Sequence, residues 1–173
     1  MSDELKAWLR QARADLEASR QTVLAECHRR YLLQQAYEKG VKALGLRLWR
    51  GSLADADFRR LFLHRHDPLS RLQAEADLAK ALRIFLRQIN SELSTLDNAG
   101  LLLRVDGTSP TTNRSDVSYR YPFIDSQTGS VIAPVDISTD DWDAYQGNEM
   151  GVARAIERFL KRVESLIRRS RGA

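Results

Sequence analysis

A chain of 173 residues is long enough to bury a core of its own, and its single cysteine, Cys27, excludes an internal disulfide. It shows no secretory or transit segment and no apolar run near the roughly 18 residues that mark a bilayer span, so one soluble cytoplasmic domain without membrane contact is expected. The net charge is only +4, but 22 of the 27 basic residues are arginine and the charge is uneven: residues 106–149 hold eight carboxylates against Arg114 and Arg120, a net of −6, which leaves +10 on the rest. A basic body with an acidic appendage suits polyanions such as RNA; a solvated arginine face, or a genome rich in G and C, produces the same count.

The first helix is expected over residues 3–24, where Leu5, Trp8, Leu9, Ala12, Leu16 and Val23 recur at helical spacing. Ser2 or Asp3 caps its start, with Asp3 and Glu4 near the positive end of the dipole. The second helix runs from about 25 to 49 and ends before Gly51. Gly40 and Gly45 lie inside it, each at a cost of roughly 1 kcal/mol against alanine, and close approach of another helix is the structural reason for accepting that cost.

Ser52 or Asp55 opens a short helix through Phe58, Leu61 and Phe62. Asp67-Pro68 marks the start of a third long helix over 68 to about 97, with Leu72, Ala76, Ala79, Leu82, Leu86, Ile89, Leu93 and Leu96 as its stripe. Residues 98–118 are turn-rich. Tyr119–Phe123 and Val131–Ile137 flank a polar, glycine-containing stretch and read as a β-hairpin. Ser138 to Asp141 caps a short helix. The last helix spans about 149–169, where Val152, Ala155, Ile156, Phe159, Leu160, Val163, Leu166 and Ile167 give the cleanest amphipathic pattern in the chain, and Arg168 and Arg169 complement its negative end. The expected fold is therefore all-α: an up-and-down helical bundle of about five helices in one domain, with a small β-hairpin insertion at about 98–148, before the last helix.

Within the second helix, Gln35, Glu38, Lys39 and Lys42 fall on one side, among Tyr31, Leu32, Ala36, Ala43 and Leu44. Such a strip needs partners or a ligand. Either it is a solvent-facing ion pair, or Lys39 and Lys42 meet phosphate while Gln35 reads a base or ties helices together.

The run Gln34-Gln35-Ala36-x-Glu38-Lys39-x-x-Lys42-Ala43, after a first helix with Trp8-Leu9 and Ala14-Asp15-Leu16-Glu17-Ala18, resembles the HEPN domain family. His66-Asp67-Pro68-Leu69-x-x-Leu72 is similar to that family's His-Asp-Leu entry to the third long helix, and Tyr119-Arg120-Tyr121-Pro122 to its Arg-Tyr-Pro segment before the last. The resemblance covers about residues 5–169. It implies a helical, dimeric protein that binds RNA or a nucleotide, with a metal-independent endoribonuclease of a toxin–antitoxin or defence system as its enzymatic form, and an antitoxin or defence protein as a further partner. It also implies no cofactor.

Active ribonucleases of that family carry an arginine, four to six residues and a histidine on a late helix. The arginine holds the scissile phosphate, and the imidazole moves a proton near neutral pH. Here the late helix contains no histidine. The spacing occurs instead at Arg59 with His64 and at Arg60 with His66, which makes these four the catalytic candidates. His66 with Asp67 also reads as a helix cap, and His64 as a partly buried ring. Arg120 and Tyr121 are candidates for phosphate and base contact, or for packing the insertion on the bundle. Cys27-His28 has no matching ligand pair elsewhere, so no metal is expected. No Gly-x-Ser-x-Gly elbow or phosphate-cradling glycine loop is present, and Asp140, Asp141 and Asp143 read as a solvated acidic segment. A different class of function is a catalytically inactive HEPN scaffold or regulatory subunit acting through protein contacts.

Overall fold

A computed structural model describes residues 3–49, 56–63, 121–125, 128–146 and 148–169. These are mostly helical, with one two-stranded antiparallel hairpin. In chain order they form α1 (Asp3–Ala18), α2 (Glu26–Leu48), the short α3 (Ala56–Phe58) running into π-type turns over Arg59–Leu63, β1 (Phe123–Ile124), β2 (Val131–Ile132), a 3-10 turn (Pro134–Asp136), α4 (Thr139–Gln146) and α5 (Glu149–Arg169). The expected third long helix over 68–97 lies outside the described residues.

Helix α1 is shorter than its apolar period suggests. Past Ala18 the bonds tighten to three-residue spacing, Arg20 N–H to Glu17 O and Gln21 N–H to Ala18 O, while the Ser19 hydroxyl donates to Leu16 O at 2.7 Å. Val23, which fits the stripe by number, is 89% exposed because the helix has ended before it.

Helix α2 is the centre of the structure. Fourteen of its 23 residues are buried, with residues 40–46 buried without a break, so it has no solvent face of useful width. Asp15 of α1 meets Lys39 and Trp8 meets Lys42, so α1 and α2 run antiparallel. Helix α5 lies parallel to α2: Arg29 meets Glu149 near both starts, and Tyr37 and Gly40 meet Phe159 further along. Arg13–Glu164 and Arg20–Glu157 tie α5 antiparallel to α1. The core between the three helices is Leu5, Leu9, Ala12 and Leu16, then Leu33, Tyr37, Val41 and Leu44, then Val152, Ile156, Phe159, Leu160 and Val163.

Gly40 shows the expected close approach. A Cβ there would lie 2.5 Å from Leu160 Cδ2 and 2.8 Å from Phe159 Cε1, and both side chains are buried, so one of them has to shift. Alanine ordinarily gains about 1 kcal/mol over glycine in a helix, whereas overpacking costs about 1–3 kcal/mol. Gly40→Ala is therefore expected to lower stability by up to about 2 kcal/mol in denaturant unfolding, and the loss should shrink when Phe159→Leu opens space beside it.

The hairpin pairs Phe123 with Ile132 and Ile124 with Val131. Its strands are shorter than the apolar runs suggested, because Pro134 starts a 3-10 turn in place of further ladder bonds. The turn is closed by Gly129 N–H to Asp125 O at 2.7 Å and Asp125 N–H to Ser130 O at 2.8 Å, with Gly129 at φ +72°, a left-handed conformation that glycine adopts without strain. Phe123 packs with Cys27 and Trp142 in a second small core under the start of α2. Burial pushes the Cys27 thiol up from its ordinary pKa. Ser138 caps α4 as expected: its Oγ accepts the Asp141 N–H and donates to the Asp141 carboxylate. Asn148 caps α5 in the same way, its Oδ1 accepting the Gly151 N–H at 3.2 Å.

Candidate nucleic-acid interface

The strip on α2 turns inward. Its helix is central, so Gln35, Glu38, Lys39 and Lys42 face α1 and not solvent. The Lys39 ammonium donates to Asp15 Oδ2 at 2.5 Å and to Gln35 Oε1 at 3.1 Å. Asp15 also accepts from Gln11 Nε2 at 2.9 Å. Lys42 donates to Glu38, and its ammonium stands 5.1 Å from the centre of the Trp8 ring. Glu38 and Lys42 are both almost fully buried. Each cation of the strip is thus matched by a carboxylate within the protein, and Gln35 bonds inside the network. The arrangement holds α1 to α2 and leaves these ammoniums spent on internal partners.

Arg59 sits beyond the same seam. Its guanidinium donates to Glu4 Oε2 at 2.9 Å, and Glu4 is one turn before Trp8 on α1. The Glu4 carboxylate raises the Arg59 pKa above its ordinary value. Arg60 is exposed on the following residue. Their intended partners His64 and His66, and Arg120, lie outside the described residues. Tyr121 is 58% exposed just before β1.

Among the described residues the largest solvent-exposed concentration of cations is on α5. Its apolar residues at 152, 155, 156, 159, 160, 163 and 167 are buried, which turns Arg154, Arg158, Lys161, Arg162, Ser165 and Arg168 to solvent. Positions 154, 158, 161, 165 and 168 alternate steps of four and three, so they form one column along the helix. From Arg154 to Arg168 it rises about 21 Å. Lys161 shares Glu157 with Arg20, and the two cations, Lys161 foremost, hold that carboxyl below the usual carboxylate range. Among the described residues Arg162 and Arg168 have no carboxylate partner.

At its upper end this column opens on a groove of about 720 Å³ between the α1–α2 turn and the first turns of α4 and α5. Arg20, Arg29 and Arg154 line it together with Glu26, Asp143 and Glu149. The charges are already paired. Arg29 forms a two-pronged bridge to Glu149, both contacts 2.9 Å, and donates to Leu24 O; that bridge raises the Arg29 pKa. Behind it Arg30, 2% exposed, is held by Glu26 and Asp143 and lies 5.8 Å from the centre of the Trp142 ring. Thr139 adds a bond to Glu26 at 2.7 Å. The groove is a mixed-charge joint, and only Arg154 at its mouth continues into the cation column.

Comparisons with family models, with curated proteins and with solved structures find no match to this chain. Among the described residues no group of three or more histidine, cysteine, aspartate or glutamate side chains is placed to hold a metal ion, and no helix is long and apolar enough to cross a membrane. The α5 column escapes a search centred on arginine–histidine spacing. Its signal is the complement of the apolar period: between the inward residues of 152–167, arginine or lysine stands at 154, 158, 161 and 162. Of the Glu26–Arg30–Asp143 triad, Glu26 and Arg30 stand four apart on α2, but Asp143 is 113 positions from Arg30 and has no local signal.

Proposed function

We propose that this chain is an HEPN-like helical domain that binds RNA along the solvent face of α5. The observation that carries the reading is the exposed column of Arg154, Arg158, Lys161, Arg162 and Arg168 on a helix whose opposite face is locked into the core. A rigid cation array of this kind supplies sequence-independent affinity for a phosphate backbone and positions it. The α1–α2 motif supports the family reading, because Asp15, Gln35, Glu38 and Lys39 form one bonded network. The parallel course of α2 and α5 supports the up-and-down bundle. With the helix expected from the apolar stripe over 68–97, the same reading gives about five helices in a single domain. A homodimer, a cytoplasmic location and a toxin–antitoxin or defence setting belong to the same proposal through the family resemblance.

The test is anisotropy of a labelled single-stranded RNA against the full chain at several salt concentrations. Five phosphate contacts predict a log–log salt slope of about −3.5, and Arg158→Glu/Arg162→Glu is expected to weaken binding on the order of 100-fold at low salt and to flatten that slope. Absence of binding at low salt, or affinity unchanged by the double reversal, overturns the proposal. Cleavage is a separate step that requires His64 or His66 with Arg59 or Arg60: RNA cut in the presence of chelator, and left intact by His64→Ala or His66→Ala, would add it.

The inward strip favours a second reading, a catalytically inactive scaffold acting through protein contacts, because the lysines expected to meet phosphate are neutralised by Asp15 and Glu38. Retained self-association or partner capture with no RNA affinity would select it.

A further inference from the structure

Two surfaces account for every large apolar side chain that is strongly exposed among the described residues. Four of the six belong to the hairpin segment: Tyr121, Ile124, Val131 and Val135, at 58, 64, 74 and 59% exposure. Ile124 and Val131 are direct cross-strand partners, so their side chains form one patch on the face opposite buried Phe123. Exposed carboxylates follow at once in the chain, Asp136 in the 3-10 turn and Asp140 and Asp141 in the first turn of α4. The other two exposed residues are Met150, 61% exposed in the first turn of α5, and Val23, 89% exposed and next to Thr22 at the rim of the groove. They stand at the head of the cation column. One surface is therefore apolar and acidic, the other apolar and basic, and both stay exposed to solvent among the described residues.

We infer that the acidic hairpin segment docks on the α5 cation column of a second copy of this chain, reciprocally, in a two-fold pair. The charge complementarity is the argument for this occupant. Asp136 and Asp140 would meet cations such as Arg158 and Arg162. The Ile124–Val131 patch would cover Met150 and the aliphatic stems of the arginines, which tolerate apolar contact while their heads stay paired. A contact of hairpin to column repeats itself under a two-fold axis and closes, so it yields a dimer and not a filament. The inference stands apart from RNA binding: failure of the chain to bind RNA leaves it intact. Should both hold, the hairpin of one copy and the RNA compete for the same cations.

The experiment is sedimentation of the full chain at low and high salt, with two charge-reversed variants. Asp136→Arg/Asp140→Arg alters the hairpin and Arg158→Asp/Arg162→Asp alters the column. All four positions are exposed, and circular dichroism checks that both variants remain folded. The wild-type chain should sediment as a dimer at low salt and dissociate at high salt. Each variant alone should be monomeric. An equimolar mixture should recover the dimer, because the reversed hairpin of one then faces the reversed column of the other while the two unaltered surfaces also meet. A wild-type chain that stays monomeric, a dimer that survives either reversal, or a mixture that fails to pair overturns the inference.

Discussion

Replacing Glu38 with alanine is expected to remove about 3–5 kcal/mol of stability, because it strands the Lys42 ammonium in a place water does not reach. Both members of this pair are nearly inaccessible, 4% and 6% by side chain. Among the described residues, a cation left there has the Trp8 ring as its remaining attraction, and such a contact offsets about 2 kcal/mol when desolvated. Urea unfolding followed by tryptophan fluorescence measures the loss. The double change Glu38→Leu/Lys42→Met should recover most of it, since two apolar side chains of similar size carry no unpaired charge. A single-variant loss below about 1 kcal/mol would mean that the pair behaves as a surface ion pair and that α2 is not the central helix.

Arg30→Met is expected to loosen one part of the molecule and not the whole. The Arg30 guanidinium joins Glu26 of α2 to Asp143 of α4 and stands over Trp142, the largest side chain of the second core. Losing it leaves two carboxylates near each other without their shared cation, a cost of about 3 kcal/mol. The main core of α1, α2 and α5 does not include this joint, so the loss falls on the hairpin and α4. Hydrogen exchange should show amides of 139–146 losing protection while those of α5 keep theirs, with a weaker near-ultraviolet signal from Trp142. Equal loss in both regions would show one cooperative unit.

The start of α5 was legible from residue pattern alone, because seven core positions keep strict helical spacing. Ser138 announced α4 by its capping hydroxyl. Helix α1 was overextended because nothing in residues 19–24 is a glycine or proline stop, and Val23 falls on the stripe by number; the local tightening at Ser19 depends on a hydroxyl-to-carbonyl bond that periodicity does not record. The strip on α2 was visible as a set, but its direction was not. Whether four polar residues on one side meet solvent or another helix depends on where that helix lies, and the deciding partner, Asp15, is 24 positions from Lys39. The α5 column was written in the sequence as the complement of an apolar face, a pattern common enough that only a count of buried and open positions separates it from an ordinary solvated side.

The two arginine–glutamate links between α1 and α5 carry a constraint on how the chain can change length. Arg13 on α1 with Glu164, and Arg20 in the tightened turn just past α1 with Glu157, are spaced seven apart along each segment in opposite directions, so they work as a vernier with two marks in register. One residue added between Arg13 and Arg20 turns everything downstream by about 100° and forfeits one mark, whereas a whole added heptad turns it by only about 20° but shifts Arg20 by about 10 Å, so both marks return only if α5 gains a matching heptad between Glu157 and Glu164. Growth or shrinkage by single steps is therefore confined to the connections, and the rods themselves can change only by the heptad.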